Sequence, residues 1–171
     1  MSRTPPTGWV VERADVTSAE SAVLLRDYLV DVSDRWFRLH EDRDSTPEEI
    51  EQSLAEMPSD DLAPPTGDFV VARSGERLLG CVGVRLVPDR SDVAELKRMF
   101  VRPEARGTGL AGALVAAVEE AARALGATTV RLDTRLDLVE ARALYLRQGY
   151  VEVPAFNDGD YAEVWYAKPL R

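Results

Sequence analysis

The residues Arg106-Gly107-Thr108-Gly109-Leu110-Ala111 make a run suited to holding an anion. An extended, apolar-alternating segment ends at Val101, a polar loop containing Pro103 follows, and an Ala-rich helical pattern begins at Leu110. Glycines at 107 and 109 let the backbone turn tightly and leave bare N–H groups at the helix start. Unpaired amide donors there meet the positive end of the helix macrodipole, so the run predicts docking of a phosphate-bearing ligand.

Gly107–Gly112 also satisfies G-x-G-x-x-G, the dinucleotide fingerprint. That fingerprint needs its first glycine directly after the strand, and here Arg102–Arg106 intervene. It also needs several further βα units, and only about 60 residues remain. An NAD-type oxidoreductase is therefore disfavoured. A Walker A loop is excluded because no Gly-Lys-Ser/Thr follows.

Other reactive side chains are sparse. His40 is the single histidine and Cys81 the single cysteine. Cys81 lies within an apolar strand pattern and reads as inert core. No Ser-His-Asp set is recognisable, and no group of His, Cys and carboxylates has metal-ligand spacing, so no metal is expected.

The elements that must position the loop follow from periodicity. Trp9–Ala14 reads as a strand. Thr17 with Glu20 forms a capping-box pattern before a helical stripe of Val23, Leu24 and Tyr28, while Ser33–His40 shows no clean period. Thr46-Pro47-Glu48-Glu49 starts a second helix, continued by Ile50, Leu54 and Met57 and stopped by Pro58. Asp68–Arg73 and Arg77–Val87 read as a hairpin turning at Ser74-Gly75-Glu76, and Asp92–Val101 as a strand antiparallel to the second of them. Leu110, Leu114, Val118, Ala121 and Leu125 mark the buried face of a helix ending at Gly126. Thr129–Asp133 is a strand, Leu138–Gln148 a helix closed by Gly149, and Tyr150–Val153 and Ala162–Lys168 two final strands. The order β-α-α-β-β-β-α-β-α-β-β predicts an α+β fold, a mixed α/β sandwich.

At 171 residues the chain suits one domain, residues 1–171. A net charge of −9 argues against nucleic acid, which needs a basic surface, and tilts toward cationic small-molecule or peptide partners. The opening MSRTPPTGWV has no apolar leader core, and no run approaches a bilayer span, so no membrane partner is expected. A lone cysteine suits the reducing cytoplasm.

Two motifs carry a family resemblance. Arg106-Gly107-Thr108-Gly109-Leu110-Ala111 resembles the Arg/Gln-x-x-Gly-x-Gly/Ala acyl-CoA motif of the GCN5-related N-acetyltransferase (GNAT) superfamily, at every specified position. Ala141-x-x-Leu144-Tyr145-x-x-x-Gly149-Tyr150 is similar to its A-x-x-L-Y-x-x-x-G-F signature, and the element order matches along nearly the whole chain. One departure stands out: where the family often places Asn, three residues before that Ala, this chain has Leu138.

The resemblance implies an acyl-CoA N-acyltransferase fold, with a mostly antiparallel central sheet splayed between its fourth and fifth strands and helices on both faces. It implies acetyl-CoA as co-substrate, lying in a gap between Glu95–Val101 and Thr129–Asp133. Its pyrophosphate would rest on Arg106, Gly107, Thr108, Gly109, Leu110 and Ala111, and its pantetheine arm would pair with Met99, Phe100 and Val101. Arg142 is a further candidate for the phosphates, or a solvated helix arginine.

The implied reaction is direct transfer of acetyl from the thioester to a primary amine. An amine of pKa near 10 must shed a proton before or during attack. Glu95 is the candidate base, or else a structural carboxylate paired with Arg98 or Lys97. Strand alternation puts Glu95, Lys97, Met99 and Val101 on one face, away from Leu96, Arg98 and Phe100. Tyr145 is the candidate acid for the leaving thiolate, or a packing residue. The acceptor side, built in the family from the first two helices and last strand pair, points to Trp36, Phe37, His40, Asp158 and Tyr161. The alternative is a non-catalytic acyl-CoA-binding sensor or interaction domain of the same fold. A homodimer is expected by the same resemblance.

Overall fold

A computed structural model describes residues 8–171, so most of the N-terminal stretch read as lacking a leader lies outside the described residues. In chain order the elements are β1 (Val10–Arg13), α1 (Ala19–Glu41), α2 (Pro47–Glu56), β2 (Gly67–Ser74), β3 (Arg77–Val87) and β4 (Arg90–Val101). Then come α3 (Leu110–Ala124), β5 (Thr129–Thr134), α4 (Val139–Arg147), β6 (Val151–Val153) and β7 (Val164–Pro169). All strands join one sheet in the order β1-β2-β3-β4-β5-β7-β6. Every pairing is antiparallel except β4 with β5.

That parallel pairing is short. It holds at Val93–Thr129, Ala94–Val130 and Glu95–Arg131 and goes no further, whereas β4 stays paired to β3 as far as Val101. Beyond Glu95 the two strands part, and the sheet opens into the expected gap.

Each face of the sheet buries its own core. Val82, Val84, Leu96 and Val130 pack with Leu110, Leu114 and Val118 of α3 on one side. Phe69, Val71, Cys81 and Phe100 pack with Leu24 and Leu25 of α1 and with Leu62 on the other. Long apolar runs such as Leu78–Val84 follow from being covered on both faces.

Three local readings are corrected. α1 is capped by Ser18, whose side chain accepts from the Ser21 amide, not by Thr17. Thr17 instead donates to Asp15, and Glu20 pairs with Arg73 on β2. Val23 faces solvent; Ser21, Leu24, Leu25 and Leu29 form the buried stripe. Ser33–His40, without a clean period, continues α1, because aromatic and charged residues there are only half covered. The α2 start holds the full capping box between Thr46 and Glu49.

The third correction matters to function. Alternation along β4 breaks at Arg98, which sits in the left-handed region at φ 59. Gly83 partners Lys97 while Cys81 partners Phe100, so β4 carries one extra residue there. Such a bulge reverses the parity of everything after it. Phe100 therefore joins the α1-side core and Val101 joins Leu96 on the α3 side, so Glu95 and Val101 face opposite ways.

Candidate active site

The Arg106–Ala111 run becomes a tight loop ahead of α3. Gly107 and Gly109 have φ of 78 and 84, and a Cβ at either would meet open space. Backbone angle, not crowding, requires glycine at both. Gly109 is the N-cap of α3 and offers no side chain to cap it. The first return bond of the helix runs from Ala113 to the Gly109 carbonyl. Among the described residues no acceptor pairs with the amides of Gly107 to Gly112, which remain available to an anion. The loop is braced from behind: Arg106 Nε donates to the Val101 carbonyl at 3.0 Å, and Thr108 Oγ1 to the Ala105 carbonyl at 2.7 Å.

From this loop a cavity of about 460 Å³ runs between the end of β4, α1 and α4. Met99, Phe100, Val101, Arg106, Gly107, Gly109 and Ala111 line it. Thr108 does not, since its hydroxyl turns back to Ala105, and Leu110 is sunk in the core. Arg142 faces elsewhere: its guanidinium donates to the Tyr166 hydroxyl at 3.2 Å and to the Leu136 carbonyl at 3.1 Å. Its helix turns a different side to the cavity, carrying Leu138, Ala141, Leu144, Arg147 and Gln148. Arg147 is thus the α4 cation on the cavity wall, and its three-residue spacing from Leu144 was the available signal. Leu138 presents an apolar side chain to the cavity where a polar one is usual in the resembled family.

Sequence reasoning also missed the α1 wall. Tyr28, Asp31, Val32 and Arg35 line the cavity from that side. Asp31 lies 3.6 Å from Arg106, and Arg35 reaches across to Glu140 of α4 at 3.0 Å. An unbroken helix through Trp36 was the condition for seeing them.

Glu95 is buried and lies between two arginines of the neighbouring strands. Arg85 Nη2 and Arg131 Nε each stand 3.5 Å from one of its oxygens. The ion partners are these two, not Arg98 or Lys97. Arg131 in turn stacks under Phe156 at 4.1 Å.

Tyr145 is buried among Tyr150 and Tyr166, with ring centroids 5.8 and 6.2 Å away. It is not part of the cavity wall. Burial, together with the nearby Tyr28 and Asp133, pushes its phenol well above the ordinary value. The hydroxyl therefore stays protonated at neutral pH, the form that can donate.

On the acceptor side the structure brings Trp36, Phe37, His40 and Tyr161 together. Trp36 stacks on His40 at 4.4 Å and meets Phe37 and Tyr161 edge-on at 5.0 and 6.0 Å. Asp158 is exposed and stands apart. Its neighbour Asn157 ties the β6–β7 loop to the sheet, donating to Asp133 and accepting from the Trp165 indole, both at 2.9 Å.

Comparison with known proteins agrees with this geometry. The model of the acetyltransferase (GNAT) family matches residues 29–150. An IAA acetyltransferase of Azospirillum brasilense is 34% identical over 111 residues, covering 64% of this chain and 72% of that protein. A crystal structure from Klebsiella pneumoniae, provisionally named an acyl-CoA N-acyltransferase, superposes with a TM-score of 0.71 at 28% identity. It covers 95% of this chain and 98% of its own. The PaiA N-acetyltransferase of Thermoplasma acidophilum, solved with coenzyme A, shares the fold: TM-score 0.68 at 16% identity, covering 95% of this chain and 99% of its own.

Proposed function

This chain belongs to the acetyltransferase (GNAT) family and is an acetyl-CoA-dependent N-acetyltransferase, and from that premise we propose that it transfers acetyl directly to a primary amine of a small molecule or peptide. Family membership replaces the binding-module alternative with an enzyme. The observation that carries the detailed reading is the continuity of the bare amides of Gly107–Gly112 with the cavity lined by Met99–Val101 at the end of β4.

Bound acetyl-CoA supplies a thioester whose carbonyl carbon an amine can attack. In our reading the residues of the chain divide the remaining work. Amides 107–112 and Arg106 hold the pyrophosphate by helix-start and charge-assisted hydrogen bonds. The far ends of β4 and β5, no longer paired with one another, let Met99–Val101 bind an extended arm as an added strand, apart from the Val101 carbonyl, which Arg106 already engages. Leu138, Ala141 and Leu144 keep that arm out of water. Tyr145 gives the proton that the departing sulfur needs. With both Glu95 oxygens beside guanidinium groups, solvent in the acceptor gap accepts the amine proton.

The proposal extends to one domain over residues 1–171 and to a homodimer joined at a sheet edge, β1 or β6. We place the reaction in the cytoplasm, which the buried free thiol of Cys81 suits. No helix among the described residues is long and apolar enough to cross a membrane.

The test is thermal shift with acetyl-CoA, coenzyme A and NAD in parallel, then thiol release against a panel of amines. Acetyl-CoA at 100 times its Kd adds about 2.7 kcal/mol of stability. Stabilisation by NAD alone, or no amine-dependent thiol release, overturns the reading. Light scattering measures the dimer.

A further inference from the structure

Two residues past the last β4–β5 partners, Glu95 and Arg131, the parallel strands carry Lys97 and Asp133. A two-residue step returns each side chain to the face of Glu95 and Arg131, because the bulge at Arg98 comes only after Lys97. The intervening Leu96 and Leu132 both point into the α3-side core. Lys97 and Asp133 are therefore the first residues of opposite charge on the two walls of the gap. No ion pair closes them across it.

The wall formed by β4 is cationic and uncompensated. Lys97 is half-buried, and its side chain makes no hydrogen bond or ion pair among the described residues. Arg98, beside it, binds only neutral groups, the Ser59 hydroxyl at 3.2 Å and the Met57 carbonyl at 3.4 Å. These are two free positive charges in a protein of net charge −9, while most of its other arginines pair with carboxylates. On the opposite wall, Asp133 is held by Asn157, which is itself fixed by Trp165. Half-buried Tyr28 meets Phe100 of β4 ring to ring at 6.0 Å and lines the cofactor cavity with it and with Met99, the neighbour of Arg98, so the gap adjoins that cavity.

We propose that the acceptor is a small primary amine that also bears a carboxylate, bound with its nitrogen toward Asp133 and its acid group toward Lys97 and Arg98. This rests on the acetyltransferase reading and replaces the purely cationic acceptor that net charge favoured. A polyamine or aminoglycoside would place positive charge against Lys97 and Arg98, a contact that costs affinity. The acid-bearing amine neutralises both walls. In the transfer its nitrogen bonds to the acetyl carbon as the carbon–sulfur bond breaks. Of the two protons the ammonium gives up, one ends on sulfur and the other in solvent.

The experiment compares amino acids, their decarboxylated amines and polyamines in thiol release with the wild type and Lys97→Met. Calorimetry of the same amines with the coenzyme A-loaded protein gives a readout free of turnover. Acid-bearing amines are expected to have the highest kcat/KM, and K97M to lower their advantage over the decarboxylated partners about tenfold, through KM. Calorimetry should show the same loss. Lys97 touches no partner, so its replacement leaves the fold intact, which an unchanged acetyl-CoA thermal shift verifies. Preference for polyamines, or an unaltered acid-to-amine ratio in K97M, overturns this proposal alone. Coenzyme A binding with no turnover and no binding of any amine overturns the acetyltransferase reading with it.

Discussion

Glu95 and Arg131 are the last residues to face each other before β4 and β5 part, and their side chains remain ion-paired at 3.5 Å. Arg85 closes the other flank of the same carboxylate at 3.5 Å. One buried negative charge thus fixes two guanidinium groups at the crotch of the sheet. We expect Glu95→Gln to act mainly on stability. Removing one member of a fully buried pair costs about 3–5 kcal/mol. Both arginines are partly solvated, which lowers the expected loss to about 1–2 kcal/mol. Denaturant unfolding measures it. E95Q should keep the wild-type kcat within about twofold; a fall of about 100-fold would make Glu95 the base after all.

Tyr145 invites the opposite pattern. Its ring packs on Tyr150 and Tyr166, and phenylalanine keeps that packing. Tyr145→Phe should therefore melt close to the wild type. If the hydroxyl protonates the leaving thiolate, kcat falls about 100-fold with the acetyl-CoA KM nearly unchanged. Burial raises the phenol pKa, so the protonated donor persists below that raised value. No loss of rate from Tyr145 is expected between pH 7 and about 10. A Y145F enzyme of full activity would return this residue to the core.

What the sequence revealed followed from local physics. Turn glycines, the Thr46 capping box and the period of α3 each act within a few residues, and each lies where periodicity put it. The Arg98 bulge was not legible, because it depends on how β3 and β4 register rather than on any residue type near it. That single extra residue moved Phe100 and Val101 to faces opposite those alternation gave. The α1 wall escaped for a related reason. Ser33–His40 lacks a period because α4 and the β6–β7 loop cover it unevenly, as the Arg35–Glu140 and Trp36–Tyr161 contacts show. Arg85 and Arg131 as partners of Glu95 required the pairing of three strands that are distant in sequence.

Cys81 gives a pH signature. Burial pushes its thiol up to about 12 from an ordinary 9, and its Sγ donates to the Arg98 carbonyl at 3.3 Å. Because the folded value lies above the unfolded one, the folded state holds the proton longer. Its contribution to stability is complete below pH 9 and is lost as pH climbs from about 9 toward 12, by about 1.4 kcal/mol per unit at most. Cys81→Ala should flatten that part of the stability curve. In the wild type at pH 8, a thiol reagent should react only at the rate of unfolding.

Gly109 separates cofactor binding from packing. Alanine there meets no neighbouring atom but must adopt φ 84, a backbone state costing about 1–2 kcal/mol for an L-residue. The chain can relieve that strain by rotating the Gly109–Leu110 region, which moves the amides of residues 110–112 away from a common focus. Gly109→Ala should therefore lose about 1 kcal/mol in unfolding and about tenfold or more in acetyl-CoA affinity, read by calorimetry. Gly126→Ala is the matching control: it too has positive φ, 98, with open space around it, but sits past the opposite end of α3 from the loop. It should show a similar loss of stability with unchanged affinity. Equal affinity losses in the two variants would mean that the amides ahead of α3 are not the anion site.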